Sequence, residues 1–396
     1  MHYFDYLDSR TFDKVFFKKP SNLYSLDDDQ MKKYALGATL YIPATRGDLS
    51  SIVIQNKYPE MKSLVVCLED AIKDDEVVSS ESTLINELSK IQKAIASNKL
   101  ISSTIPLIFI RIRNYQHLNT FSKRLNKFRD IVSGFVLPKF DVDNGQKYMD
   151  CVSQLNKDSK KKYWFMPILE SKAIIYAESR NSILESIIKI LDPFSEDILN
   201  VRIGATDLCS HYGVRRSKDT TIYQIQVINQ CISDVLNFFS RADSEYILSG
   251  PVWEYFPERK KGVNILSMIT PSNHIGDLCN YKRPTYENEG HLNAFVQEII
   301  LDKENGFIGK TVIHPSQILL VNALYVVTHE EFLDACAILG EDSGGVFSSQ
   351  YRNKMNEAKP HGLWAKKIIN RANVYGVFNK GYDYISLLEG QREKIR

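Results

Sequence analysis

The chain has 396 residues, a formal net charge of +2 and a hydrophobic fraction of 43%, the profile of a globular protein able to bury a sizeable core. So small a net charge gives no global footprint for nucleic acid or for an anionic membrane, and neither partner is expected. No apolar run approaches the roughly 20 residues of a spanning helix. No basic-then-apolar signal opens the chain, and the six cysteines form no C-x-x-C pair, so a cytoplasmic protein with free thiols is expected.

Residues 1–35 are polar, aromatic and charged and read as a leader, with Asp27, Asp28 and Asp29 as a helix-start signal. Eight short apolar runs follow, at 38–42, 63–68, 106–112, 134–137, 163–169, 198–203, 245–248 and 311–313. They are rich in Val, Ile, Leu and Phe rather than strictly alternating, which suits strands covered on both faces. Amphipathic, helix-length segments lie between them, among them 79–96, 145–154, 171–191 and 220–239. Eight strands alternating with helices predict a (β/α)8 TIM barrel over residues 36–327, with an open doubly wound sheet as the competing architecture. A long connection, 250–307, precedes the eighth run, a length that usually carries function or elements of its own. Residues 328–396 form a helical C-terminal extension, whose stretch 351–396 holds ten Lys/Arg against four Asp/Glu.

Charged side chains recur at one end of almost every run. Arg46 follows the first, Glu69 and Asp70 the second, and Arg111 and Arg113 stand at the third. Lys139 follows the fourth, Glu170 the fifth and Asp207 the sixth; Pro251 follows the seventh and His314 the eighth. Barrel enzymes build their sites at this C-terminal face. Glu170 and Asp207 end consecutive strands, so their carboxylates are expected to converge, and two hard oxygen ligands suit Mg2+ that keeps several waters. Arg111 and Arg113 share strand parity, so either can face the lumen. Glu69 and Asp70 either orient water and move a proton or cap the following helix. His314 either binds substrate or fixes the strand-to-helix turn. Gly309-Lys310-Thr311 resembles the end of a phosphate-binding loop and makes an ATP- or GTP-binding protein the alternative class. The first glycine of that motif, however, falls at Glu304, and a strand pattern follows instead of a helix.

Taken in order, the motifs are Leu68-Glu69-Asp70-Ala71, Arg111-Ile112-Arg113-Asn114, Leu137-Pro138-Lys139, Ile168-Leu169-Glu170-Ser171, Gly204-Ala205-Thr206-Asp207-Leu208 and Gly309 through Gln317. As an ordered set they resemble the citrate lyase beta-subunit-like branch of the HpcH/HpaI aldolase superfamily. The long loop and the extension resemble its longer subgroup, described as C–C bond lyases of the TIM-barrel fold and found in bacterial stress-response (tellurium-resistance) gene clusters. The resemblance implies a Mg2+-dependent, homo-oligomeric carbon–carbon lyase. Its substrate would be a small 2-oxo acid, hydroxy acid or CoA thioester, cleaved through a metal-stabilised enolate. By motif, Glu170 and Asp207 match the metal ligands, the third-strand arginine matches the substrate-carboxylate binder, and Glu69 with Asp70 matches a supporting acidic pair. The family writes Arg-x-Asn where this chain reads Arg-Ile-Arg-Asn, so the choice between Arg111 and Arg113 stays open. The family's arginine just before the first strand is absent, and Arg46 is the candidate substitute. Lys139, Pro251 and His314 complete the expected substrate-binding set. Asp383 is the counterpart of an acid supplied by a neighbour's C-terminal segment. A barrel that has lost catalysis and serves as a binding subunit is the remaining alternative.

Overall fold

The computed structural model describes residues 1–23, 29–157, 159, 161–244, 246–256, 290–341 and 344–390. Eight parallel strands make one sheet: β1 (Ala38–Pro43), β2 (Ser63–Cys67), β3 (Leu107–Arg111), β4 (Val132–Leu137), β5 (Trp164–Leu169), β6 (Val201–Ile203), β7 (Leu248–Ser249) and β8 (Lys310–Val312). Their spatial order is β7-β6-β5-β4-β3-β2-β1-β8, and every pairing is parallel. Backbone bonds just past β7 join the two ends. Gly250 N–H donates to the Gly309 carbonyl at 3.0 Å and Thr311 N–H to the Gly250 carbonyl at 3.3 Å. This is the expected TIM barrel, and the open sheet is set aside.

Eight helices alternate with the strands: α1 (Leu49–Ile54), α2 (Val77–Ala96), α3 (Tyr115–Leu125), α4 (Val142–Asn156), α5 (Ala177–Leu191), α6 (Gln226–Phe239), α7 (Gly290–Glu304) and α8 (Ile318–Tyr325). Their starts are written locally. Asn114 caps α3 by accepting from His117 N–H at 2.8 Å, and Asp141 caps α4 in a reciprocal arrangement with Asn144.

The strands are buried on both faces, and their alternation divides two apolar layers. Leu64, Val66, Ile108 and Ile110 pack outward against the helices, while Val65, Phe109, Val136 and Met166 fill the barrel lumen. Cys67 and Arg111 continue the inward parity of Val65 and Phe109, which delivers both to the C-terminal mouth.

The leader and the extension pack on each other. Strand Phe16–Lys18 pairs antiparallel with Val377–Phe378. Tyr375 Oη donates to the Tyr34 carbonyl at 2.7 Å, and Tyr3 Oη to the Ala35 carbonyl at 2.8 Å. Helices His329–Leu339 and Gly362–Tyr375 bury a small core of their own with Ala335, Ile338, Ala365 and Ile368. Two basic side chains of the extension meet its own acids: Lys354 pairs with Glu330 and Asp334, and Arg371 with Glu331. Of the helix-start signal, Asp27 and Asp28 lie outside the described residues. So do most of the 250–307 connection and the last six residues. Among the described residues, no helix is long and apolar enough to cross a membrane.

Candidate active site

The C-terminal mouth holds a cavity of about 440 Å³ lined by, among others, Tyr41, Asp70, Arg111, Glu170, Arg202 and Asp207. Arg111 is its hub. One nitrogen, Nη2, lies 2.7 Å from Glu69 Oε2, 2.9 Å from Asp70 Oδ2 and 3.2 Å from Glu170 Oε1. Its Nε is buried and has no hydrogen-bond partner among the described residues. Lys139 closes the cluster from the next strand end. Its backbone, in the left-handed region at φ 50°, aims N–H at Glu170 Oε1 (2.9 Å). Its ammonium pairs with Glu69, and with Asp70 at 3.1 Å. Residues that the sequence spreads over a hundred positions thus meet because consecutive parallel strands end side by side.

Arg113 shares the parity of Arg111, but β3 ends at Arg111 and Arg113 falls in the turn before α3. Its guanidinium leaves the mouth and pairs with Asp74 on the surface. The third-strand arginine of the cavity is therefore Arg111.

Glu170 is 3% exposed. Burial raises its carboxyl; Arg111 opposes that rise, the charge of Asp207 adds to it, and the group is pushed up to about 7. Its Oε1 accepts from Arg111 and Lys139, whereas no donor among the described residues reaches Oε2. The fit of Glu170 depends on Gly204, against which the carboxylate lies. Asp207 stands in the first turn of the short helix Ala205–Ser210 and lines the same cavity. The neighbouring acidic pair is split. Burial, with the hydrogen bond to Asp70, raises Glu69. Burial also lifts Asp70, but its hydrogen bond with Glu69 and the charges of Arg111 and Lys139 outweigh that and hold it below the ordinary range.

No group of three or more His, Cys, Asp or Glu side chains able to hold a metal occurs among the described residues. A metal here would rest on Glu170 and Asp207 and keep waters, the habit of Mg2+. The donor set fits: two hard carboxylates on one cavity, one of them with an orphaned oxygen.

The other expected residues lie off the cavity lining. Arg46 is held by Asp48 through two bonds of 2.8 and 2.6 Å. His314 accepts from Ser316 N–H and stacks on Phe256 at 4.8 Å, so it fixes the turn after β8. Pro251 is buried beside the lining residue Val252. Asp383 caps the helix Tyr384–Gly390, accepting from Ile385 N–H at 3.0 Å. Lys310 is fully buried between Glu298 (2.9 Å) and Asp302 (2.7 Å), which gives the phosphate-loop reading no cation to offer. Cys209 is buried, and burial pushes its thiol up, so it is no ready nucleophile.

Arg202 was not anticipated, although an arginine inside the apolar run 198–203 is itself a signal. It lies in the lumen beneath Glu170 and donates from Nη2 to Thr311 Oγ1 at 2.5 Å.

The family model described as C-C bond lyase of the TIM-barrel fold matches residues 30–377. No curated protein matches the chain. Among solved structures, it is similar to protein CitE from Mycobacterium tuberculosis in complex with magnesium, acetoacetate and coenzyme A, at 15% identity and a TM-score of 0.49, over 86% of this chain and 99% of that one. It is also similar to the citrate lyase beta subunit of M. tuberculosis complexed with oxaloacetate and magnesium, at 16% identity and a TM-score of 0.43, over 73% and 96% of the two chains. A malate synthase from Haloferax volcanii, a lead(II) complex, is similar at 11% identity and a TM-score of 0.47, over 73% and 72%.

Proposed function

Because this chain belongs to the C–C bond lyases of the TIM-barrel fold, we propose that it is a Mg2+-dependent lyase or aldolase whose site is the mouth cavity around Glu170, Asp207 and Arg111. The observation that carries this reading is the pair Glu170 and Asp207. They stand at consecutive strand ends on one cavity, close enough for the charge of one to lift the carboxyl of the other. Two like charges on one cavity, Glu170 buried and Asp207 half-buried, suit a cation between them.

Mg2+, when bound, supplies a Lewis acid at the substrate carbonyl. The protein side chains do the rest. Arg111 spends Nη2 on three carboxylates and lines the cavity, where the rest of its guanidinium donates to a substrate carboxylate. Lys139 holds Glu69 and Asp70 beside that position. Glu69, raised by burial, stands within hydrogen-bond reach of Asp70, and this pair accepts the hydroxyl proton as the bond beside the carbonyl opens and returns it in the reverse direction. The substrate is a small 2-oxo acid, hydroxy acid or acyl-CoA thioester.

The protein works in the cytoplasm, in keeping with its five free described cysteines, and as a homo-oligomer in which Asp383 reaches a neighbour's mouth.

The test is a calorimetric titration with Mg2+ and a turnover screen of 2-oxo acids, hydroxy acids and acyl-CoA thioesters with product analysis. Glu170→Gln and Asp207→Asn should each abolish Mg2+ binding and turnover while the far-ultraviolet dichroism of the barrel is kept. Unchanged metal affinity in both variants would remove the assignment.

A further inference from the structure

Arg202 is a buried cation that the proposed chemistry leaves unused. Its neighbours on β6, Val201 and Ile203, pack outward against the helices, and its own side chain turns into the lumen, 2% exposed. There it meets Thr311, the sulfur of Met166 at 3.7 Å from Nη1, and the face of Tyr41 at 5.5 Å. No carboxylate among the described residues pairs with it. The other buried arginines differ: Arg180 pairs with Asp234, Arg216 with Glu254 and Glu298, and Arg371 with Glu331. A guanidinium stays charged at any physiological pH, and an interior holds such a charge unpaired only at a large cost.

A second observation lies beside it. Ser249 is the register partner of Arg202 on β7, so the two side chains share a face. Its hydroxyl is fully buried and has no hydrogen-bond partner among the described residues. A cation without a counter-charge and a hydroxyl without a partner therefore share one level of the barrel.

The level is also informative. Arg202 pairs in register with Ile168, two residues before Glu170. At about 3.3 Å per residue, that places it roughly 6–7 Å deeper in the lumen than the proposed metal ligand. The cavity reaches it, since Arg202 and Thr311 are both part of its wall.

We propose that Arg202, with Thr311 and Ser249 beside it, forms an anion subsite on the floor of the cavity that takes the far carboxylate of a dicarboxylic substrate. The near end of that substrate would be held at the mouth by Arg111 and by the metal that Glu170 and Asp207 would carry, so the assignment rests on the lyase reading. A carboxylate suits the subsite better than a phosphate. It is planar like the guanidinium fork, and its single charge is neutralised by one arginine.

Lactate and malate differ by one carboxylate and make matched probes for calorimetry on the full-length protein with Mg2+ present. The wild type should bind malate at least tenfold more tightly than lactate, the size of one charge-assisted bond. Arg202→Gln should erase that preference while leaving Mg2+ and lactate affinities unchanged. Arg202→Lys, which keeps the charge and loses the fork, should retain part of it and serves if the glutamine variant fails to fold. Equal binding of malate and lactate by a wild type that binds Mg2+ overturns the subsite and leaves the lyase reading standing. A preference that survives in Arg202→Gln, or inorganic phosphate binding more tightly than malate, also overturns it. Failure of the wild type to bind Mg2+ sinks the lyase reading instead, and the same comparison without metal then decides the subsite alone.

Discussion

Gly204 and Glu170 are in such close contact that a β-carbon at position 204 would lie 2.1 Å from Glu170 Oε2 and 2.5 Å from its Cβ. The backbone of Gly204, at φ −89° and ψ 71°, does not need glycine for its angles; the space does. Gly204→Ala should therefore act through the carboxylate. The methyl group forces Glu170 off its bonds with Arg111 and Lys139, costing about 1–3 kcal/mol of stability as an overpacked interior does. Mg2+ affinity should fall at least tenfold. Urea midpoints and metal titration check both, and an alanine variant with wild-type Mg2+ affinity would contradict the proposed ligand geometry.

Arg111 and Arg113 offer a matched comparison. Arg111→Ala strands the buried Glu170 without a side-chain cation and leaves Glu69 and Asp70 to Lys139 alone. Removing the partner of buried charges costs on the order of 3–5 kcal/mol. Lowering the pH should restore part of it by protonating them. Arg113→Ala removes a pair with Asp74, which is 91% exposed, and such pairs contribute about 0–1 kcal/mol. Activity should vanish in the first variant and persist in the second.

The barrel was legible because strand and helix periodicities repeat, and all eight apolar runs became strands. Glu69, Asp70, Lys139, Glu170 and Asp207 could be placed at one mouth because parallel topology alone aligns strand ends. The sequence could not separate Arg111 from Arg113, since that choice depends on where β3 stops, a matter of one or two residues. His314 and Arg46 were legible as polar groups at strand ends but not as partners of Ser316 and Asp48, because local hydrogen bonds leave no periodic trace. Gly204 was part of a motif without a role; its meaning is a distance across two strands, which no linear spacing encodes.

The carboxyl of Glu170, pushed up to about 7 from an ordinary 4.5, makes stability depend on pH in a defined sense. Between those values the folded state holds more protons than the unfolded one, so stability falls as pH rises through the window and levels off above it. The full span is on the order of 3 kcal/mol. Arg111, Lys139 N–H, Asp207 and Glu69 face the group, and Glu170→Gln should flatten the profile. Mg2+ requires the ionised form, so its affinity should rise about tenfold per pH unit up to roughly 7 and then plateau. Urea midpoints from pH 5 to 8, with and without Mg2+, read both slopes, which run in opposite directions.

Asp383 separates a structural role from a role in a neighbouring subunit. Its Oδ1 accepts from the backbone N–H groups of Ile385 (3.0 Å) and Ser386 (3.2 Å), capping Tyr384–Gly390. Asparagine caps as well as aspartate, whereas alanine loses about 1 kcal/mol. Asp383→Asn should thus keep the melting temperature and Asp383→Ala lower it. If the carboxylate also serves a partner's mouth, Asp383→Asn should cut kcat tenfold or more without changing fold or Mg2+ affinity. Mixed oligomers then give a direct readout. Glu170→Gln chains still bring Asp383, and Asp383→Asn chains still bring Glu170, so co-refolding two weak variants should restore activity in hybrid sites. Full activity in Asp383→Asn alone, or no recovery on mixing, would confine Asp383 to its helix cap.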